Sequence, residues 1–552
     1  MVGRALLAAL LVLLLTGGGT KAKDTLVIGV AQFPTSLHPD IDPEVAKSYA
    51  MGFALRPITA YDKDWHNTCL LCTELPTLEN GLARFETQPD GTRGMAVTLR
   101  LKPDLRWGDG EPVTARDIAF TWKLGTDPAS GFSNPNAWSR ATRIDVVDDR
   151  TAVLHLRRVD VTYASWDQIL PEHAEGTALA REGGLAAYTK NTDYNSAPTT
   201  PGLWNGPYLL TQYEQGQQIV FEPNPNWPGA KPAFRRITLK LVESTTALQA
   251  YLLAGDVDMI AGEGIGLTVD QVLSLRKQYP DRFTYTFRPS LTYEHIDLQH
   301  DNPALADVRV RRALLLATDR GAIAKQLFEG VQPQAVTWVS PLSPEYDPSI
   351  EGVGYDTAGA RALLADAGWR PGSDGVCRDK DGKRLSLVLT TTAGNRLREL
   401  EEQMLQAQWR AACVEVTIKN EPAQTLFGDT LKHRTYPGMV MYGWTYTVGG
   451  SPRLTLGSDQ IPAAANNWAG ANYTAFSDPR MDAAIAAAET ELDPVKRKAI
   501  WAEMQRIYAE QLPALPLYFQ AEAPVTPRWL TGYVPTGHSD HAPLWAETWG
   551  SS

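Results

Sequence analysis

Trp107-Gly108-Asp109-Gly110-Glu111-Pro112-Val113-Thr114-Ala115-Arg116-Asp117 is the stretch on which the fold turns. Gly108 to Pro112 is turn chemistry, because glycine and proline punctuate regular structure. Thr114 is then placed to cap a helix, with Asp117 at the third helical position and Ala115, Ile118, Ala119 and Trp122 on one face. Just upstream, Met95 to Lys102 alternates: Val97, Leu99 and Leu101 face one side, and Thr98, Arg100 and Lys102 the other. A half-buried strand, a tight turn and a capped helix therefore follow one another.

The same mixture continues outward. Leu26 to Val30 reads as an opening strand, and Leu385 to Leu389, Val414 to Ile418 and Leu515 to Phe519 as later ones. Asp307 caps a helix expected to run to Leu327. Asp356 or Thr357 caps another that stops at Gly368, and Asp478-Pro479 and Asp493-Pro494 each set a capping carboxylate before proline at the first helical position. Strands and helices alternate throughout, so the class is α/β or α+β. With 552 residues and no internal repeat or long linker, about three or four core-forming units are interwoven by several chain crossings.

Composition narrows the function classes. The chain is 43% hydrophobic and 21% charged with 9% aromatics, which describes a soluble globular protein rather than a disordered or polytopic one. A net charge of −11 disfavours nucleic acid as a partner. Residues 1–22 combine Arg4, an apolar run from Ala5 to Leu15 and Thr20-Lys21-Ala22, the parts of a secretory signal peptide cleaved near Ala22. No Cys directly follows that run, so no lipoprotein anchor is expected, and the mature protein is placed in the periplasm. There disulfides are permitted. Four cysteines allow three pairings, of which Cys69 with Cys72 and Cys377 with Cys413 is the simplest.

Catalytic motifs are absent. Gly449-Gly450-Ser451-Pro452-Arg453 lacks the second glycine of a nucleophile elbow, and no two histidines stand four apart as on a zincin helix. Gly262-Glu263-Gly264-Ile265-Gly266-Leu267 misses the third glycine of a dinucleotide fingerprint and reads as a turn. Asp379-Lys380-Asp381-Gly382 reads as a hairpin turn, and His538-Ser539-Asp540-His541 as solvated loop rather than metal site. No catalytic residue, metal or cofactor is expected, and a binding protein is favoured over an exported hydrolase.

Aromatic usage is the positive signal, with 16 Trp and 20 Tyr. Tyr442-Gly443-Trp444-Thr445-Tyr446-Thr447 runs as an aromatic strand into Gly449-Gly450, and aromatic faces beside hydroxyls suit an amphipathic small ligand. Tyr442, Gly443, Trp444, Tyr446 and Thr447 are therefore the candidate ligand-binding residues. Asn467, Trp468 and Trp138 join them on similar grounds, and His433 and Arg434 could face an anionic group.

In order, Leu99-Arg100-Leu101, the Trp107 to Asp117 stretch, Asn205-Gly206-Pro207-Tyr208, Pro223-Asn224-Pro225-Asn226-Trp227, Ala254-Gly255-Asp256-Val257-Asp258, Asp307 to Leu314, Leu363 to Gly368 and Leu512 to Leu517 resemble the extracellular solute-binding proteins of family 5. These are the oligopeptide-, dipeptide- and nickel-binding components of bacterial ABC importers. The resemblance implies a periplasmic binding protein-like α/β fold of the class II, cluster C type: two large lobes, a hinge and a smaller third domain. Expected boundaries are residues 23–68, 200–288 and 512–552 for lobe I, 69–199 for the small domain and 289–511 for lobe II. It also implies a monomer that closes on a peptide or other small-molecule ligand and docks transiently on an inner-membrane permease.

Peptide-binding members resembled here carry an Asp three residues after the Gly-Trp tryptophan, which pairs with the peptide's α-ammonium. This chain has Thr447 there, and Met441 where a basic side chain usually precedes. A free-amine peptide would then need another acid, such as Glu263 or Glu421. An oligosaccharide, opine or metal chelate is the alternative ligand class.

Overall fold

The computed structural model describes residues 23–132, 136–181 and 183–552, so the leader segment expected at 1–22 lies outside it. Three main sheets organise the chain. The first has seven strands, in spatial order Phe283–Tyr285, Val525–Pro527, Met259–Ile260, Thr25–Val30, Arg236–Leu241, Gln218–Pro223 and Tyr208–Glu214. Its centre is parallel, with Leu26 opposite Ile237 and Ile28 opposite Met259. Leu26, Ile28 and Val30 are fully buried, which explains why this strand reads as apolar.

The second sheet has five strands: Glu415–Ile418, Ser386–Thr390, Met439–Thr445, Arg288–Leu298 and Ala514–Glu522. A separate four-stranded antiparallel sheet joins Ala83–Thr87, Arg93–Arg100, Thr151–Leu156 and Ala141–Asp148. Against it packs the helix Ala115–Gly125, capped as its sequence predicts: the Thr114 amide donates to Asp117 Oδ2 at 2.8 Å, and Thr114 Oγ1 accepts from Arg116. Asp117 also receives the indole N–H of the buried Trp107 and the amide of Glu172. Gly108 is required because a Cβ there would collide with the Leu209 side chain and the Pro201 carbonyl. The Trp107 to Asp117 stretch thus locks the small sheet onto the seven-stranded one.

Two expectations change. The helix from Asp307 breaks into Val308–Leu316 and Arg320–Phe328, because Asp319 starts a new cap on the Ala322 amide. The chain also does not leave the second sheet at residue 512: Ala514–Glu522 pairs with Arg288–Leu298 in that sheet, and only Val525–Pro527 joins the first. The backbone groups of 514–522 are satisfied by that neighbour, which a local hydrophobic pattern cannot reveal.

The two large sheets are therefore linked by two neighbouring connections. One runs from Tyr285 to Arg288 and the other from Glu522 to Val525, and they lie together: Arg288 is the register partner of Glu522, and the Thr286 amide approaches the Pro524 carbonyl at 3.5 Å. Both cysteine pairs form, Cys69 with Cys72 and Cys377 with Cys413. The second ties the short hairpin at Cys377–Arg378 to the end of the helix Arg396–Ala411. Among the described residues no helix is long and apolar enough to cross a membrane.

Candidate functional site

A cleft of about 540 Å³ opens where the two connections cross. One wall comes from the first sheet's side: Glu44, Ser48 and the loop Gly262–Leu267. The other comes from Thr292, Glu294, Asn395, Arg398 and Thr445. Gln520, Glu522, His538 and His541 form its floor beside the crossing chains.

Charge is arranged unevenly in this cleft. Arg398 grips Glu294 with two hydrogen bonds, Nε to Oε1 at 2.7 Å and Nη2 to Oε2 at 3.0 Å, and Gln520 donates to the same Oε2 at 2.7 Å. That pair is internally neutral and hydrogen-bonded, the condition under which buried ions are tolerated. Glu263 and Glu522 have no such counter-ion, and burial pushes both carboxyls well above the ordinary range. His538 and His541 move the other way, to about 4 and about 3, because burial disfavours the imidazolium.

The strand Met439–Thr445 explains where the aromatic residues go. Side chains alternate across a strand, so Gly443 and Thr445 fall on the cleft side while Tyr442, Trp444 and Tyr446 fall on the other. Thr445 lines the cleft, and a Cβ on Gly443 would meet Glu294 Oε2 and Gln520 Nε2 at 3.0 Å. Tyr442, Trp444 and Tyr446 instead surround a much smaller void with Tyr293 and Asp297, and the Tyr442 hydroxyl donates to Asp297 at 2.6 Å. Thr447 is exposed, beside Gly449 and Trp501 at a third small hollow.

Other expected residues are not gathered at the cleft. Trp138 is corrected to a core residue: it is 1% exposed and packs on Trp166 at 5.5 Å inside the small unit. His433 bonds to Asp429 at 2.7 Å, and Trp468 meets the His433 ring edge to face at 5.0 Å. Asn467 is exposed in a left-handed turn, and Arg434 pairs with Asp301 and Gln299. His433 and Arg434 are thus each engaged by an acid of their own unit, Asp429 and Asp301.

His538 to His541 is also corrected. His538 is 4% and His541 8% exposed, so the two histidines are buried rather than solvated, while Ser539 between them is exposed. The His538 ring bonds the Asp62 carbonyl at 2.9 Å, and Asp540 accepts the Tyr61 amide at 2.7 Å. The loop Gly262–Leu267 is the turn expected, with Glu263 and Gly264 both left-handed at φ +61 and +77. Glu294, Arg398, Gln520 and Glu522 go unmarked in the sequence. No local motif joins them, since Glu294 and Arg398 are 104 residues apart.

Two large α/β sheet units, joined by paired crossings with a cleft at the join, define a two-lobed binding protein. The family model for "Bacterial extracellular solute-binding proteins, family 5 Middle" matches residues 77–456, and the chain belongs to that family. It is 26% identical over 462 residues to the oligopeptide-binding protein AppA of Bacillus subtilis, covering 82% of this chain and 80% of AppA. The oligopeptide-binding protein of Thermus thermophilus, solved with a pentapeptide, superposes with a TM-score of 0.73 at 28% identity over 96% of each chain. NikA of Brucella suis, solved with Fe(III)-EDTA, shares the fold at TM-score 0.76 and 20% identity, covering 96% of this chain and all of that one.

Proposed function

We propose that this protein is the peptide-capturing component of an ABC importer, acting outside the cytoplasm after its leader is removed near Ala22. It binds a peptide or peptide-like solute in the cleft at the paired crossings, closes by rotation about residues 286–287 and 523–524, and presents the closed form to a membrane permease. It works as a monomer and makes or breaks no bond in its ligand. The single observation that carries this reading is the cleft itself, walled from both large sheets beside the two short neighbouring connections that link them.

Lobe I is then 23–68, 200–288 and 523–552, lobe II is 289–522, and 69–199 forms the small unit. Gly443 and Thr445 are the ligand-facing residues of the aromatic strand, and Trp444 stiffens it from behind. Support for a peptide comes from the similarity to oligopeptide-binding relatives. The test is native mass spectrometry of the exported protein followed by denaturing release of its cargo. A set of peptides is expected; a single sugar, opine or metal chelate would replace the peptide reading with the alternative ligand class.

A further inference from the structure

Besides the two crossings, the large sheet units meet along a pair of helices. Val269–Gln278 stands on the first sheet's side, where Val272 and Leu275 pack with Ile260, Phe283 and Val525. Arg320–Phe328 stands on the second sheet's side, with Ile323 and Phe328 in the core beside Ile296, Leu387 and Leu517. Val269 packs against both cores, and Val269 and Phe328 both line the cleft. The helices therefore bring its two walls together.

One acid ties the pair. Glu329, directly after the second helix, accepts from Arg276 Nη2 at 3.0 Å on one oxygen and pairs with the Lys277 ammonium through the other. The Lys277 hydrogen bond, with Arg276 beside it, holds that carboxyl below its ordinary range. Arg276 also lies over the Phe287 ring, 5.0 Å from its centroid, so one guanidinium touches a crossing connection and the opposite wall at once.

The backbone does not call for an acid at this point. Glu329 is left-handed at φ +52, a conformation that glycine adopts at less cost and that ends many helices. Glycine would serve better as a helix stop, and what it lacks is the carboxylate. With Glu329 30% and Arg276 36% exposed, the ion pair adds little to folding and can break when the walls part. A small bias is enough in a hinged protein, whose arrangements lie close in free energy. We infer that Glu329 is a positioning residue: through Arg276 and Lys277 it holds the two walls at the separation seen here, without lining the cleft itself. The inference goes beyond the peptide reading, since it applies to any ligand that needs both walls.

The test is the distance between the lobes in the ligand-free full chain, read by pulsed electron paramagnetic resonance from spin labels at Lys231→Cys and Lys380→Cys. Both sites are exposed, one on each lobe, and the four natural cysteines are paired. The distance should shift in Glu329→Gly and shift further the same way in Glu329→Lys, which sets a third cation against Arg276 and Lys277. Salt at about 1 M should move the natural protein toward the Glu329→Gly distance, and move Glu329→Gly less. Glu329→Gly should melt at or above the natural protein, which separates positioning from a purely structural role. The reversed set Arg276→Glu/Lys277→Glu/Glu329→Lys should restore the natural distance. An unshifted distance in Glu329→Lys, or no return in the reversed set, would overturn the inference. Titrated with tri-alanine, both single variants should bind about three- to tenfold more weakly than the natural protein. A natural protein that binds no tri-alanine would count against the peptide reading, and the distances would still decide the role of Glu329.

Discussion

Arg398 closes on both oxygens of Glu294, at 2.7 and 3.0 Å, and so fastens the helix Arg396–Ala411 to the strand that leads out of the crossing. Glu294 is 1% exposed at its side chain and Arg398 14%. A pair so buried contributes little net stability as a whole, but losing one partner leaves an ion without its mate. Arg398→Met should therefore destabilise the protein by roughly 3–5 kcal/mol in chemical denaturation, and the double variant Glu294→Leu/Arg398→Met should recover much of that loss. A double variant no more stable than the single one would show that the stranded charge is not the source of the loss.

Trp138 is expected to matter for stability and not for ligand. Trp138→Ala empties a large volume between Gly125 and Trp166, and should cost roughly 3–5 kcal/mol of folding free energy. Affinity measured well below the melting transition should stay within twofold. Weakened binding at full stability would return Trp138 to the site.

The Cys377–Cys413 bridge spans 36 residues. In the chain-entropy treatment a loop of that length stabilises by roughly 3–4 kcal/mol, so Cys377→Ser/Cys413→Ser should lower the denaturation midpoint accordingly. Intact-mass labelling of the natural protein should find no free thiol at either position.

Asp540 gives a pH prediction with a defined sign. Burial raises its carboxyl to about 7 from the ordinary 3.8. Between those values the folded protein keeps a proton that the unfolded chain has lost, so this contribution is full below pH 3.8 and is lost as pH rises through 7. Relative to Asp540→Asn, which keeps an acceptor for the Tyr61 amide, the natural protein should lose up to about 1.4 kcal/mol per pH unit between about pH 5 and 7. Parallel stability curves over that window would show that Asp540 does not titrate in this way.

Helix caps offer a smaller and more local check. Asp493 accepts from the amides of Val495 and Lys496 at 2.9 and 3.1 Å ahead of Pro494. Asp493→Ala should cost about 1 kcal/mol in denaturation and leave ligand binding unchanged.

Residues that act on their own neighbours are legible in the sequence itself. Thr114 and Asp117, Asp478-Pro479 and Asp493-Pro494 cap helices as their spacing dictates, and of Asp356 and Thr357 it is Asp356 that caps, because a cap needs only the next three residues. Alternation from Met95 to Lys102 likewise marks a strand, which the structure sets two residues earlier at Arg93–Arg100, and the opening strand is found where the sequence places it. The ordered motifs from Leu99 to Leu517 point to the family through local turns and packing.

What local chemistry does not encode is which distant segments share a wall. Ala514–Glu522 is apolar enough for either large sheet, and only its pairing with Arg288–Leu298 assigns it. The aromatic run from Tyr442 to Tyr446 announces unusual side chains, yet the phase of the strand turns Gly443 and Thr445, rather than Trp444, toward the cleft. His538 and His541 resemble solvent-exposed loop residues in sequence, and packing around the crossing buries them. Sequence alone therefore determined the local elements and the family, because each depends on neighbours or on a preserved order, whereas the choice among three cysteine pairings came from the structure. Tertiary structure decided the cleft and its uncompensated carboxylates, because burial and charge pairing are properties of residues brought together from distant parts of the chain, as Gln520 and Glu294 are across a separation of 226.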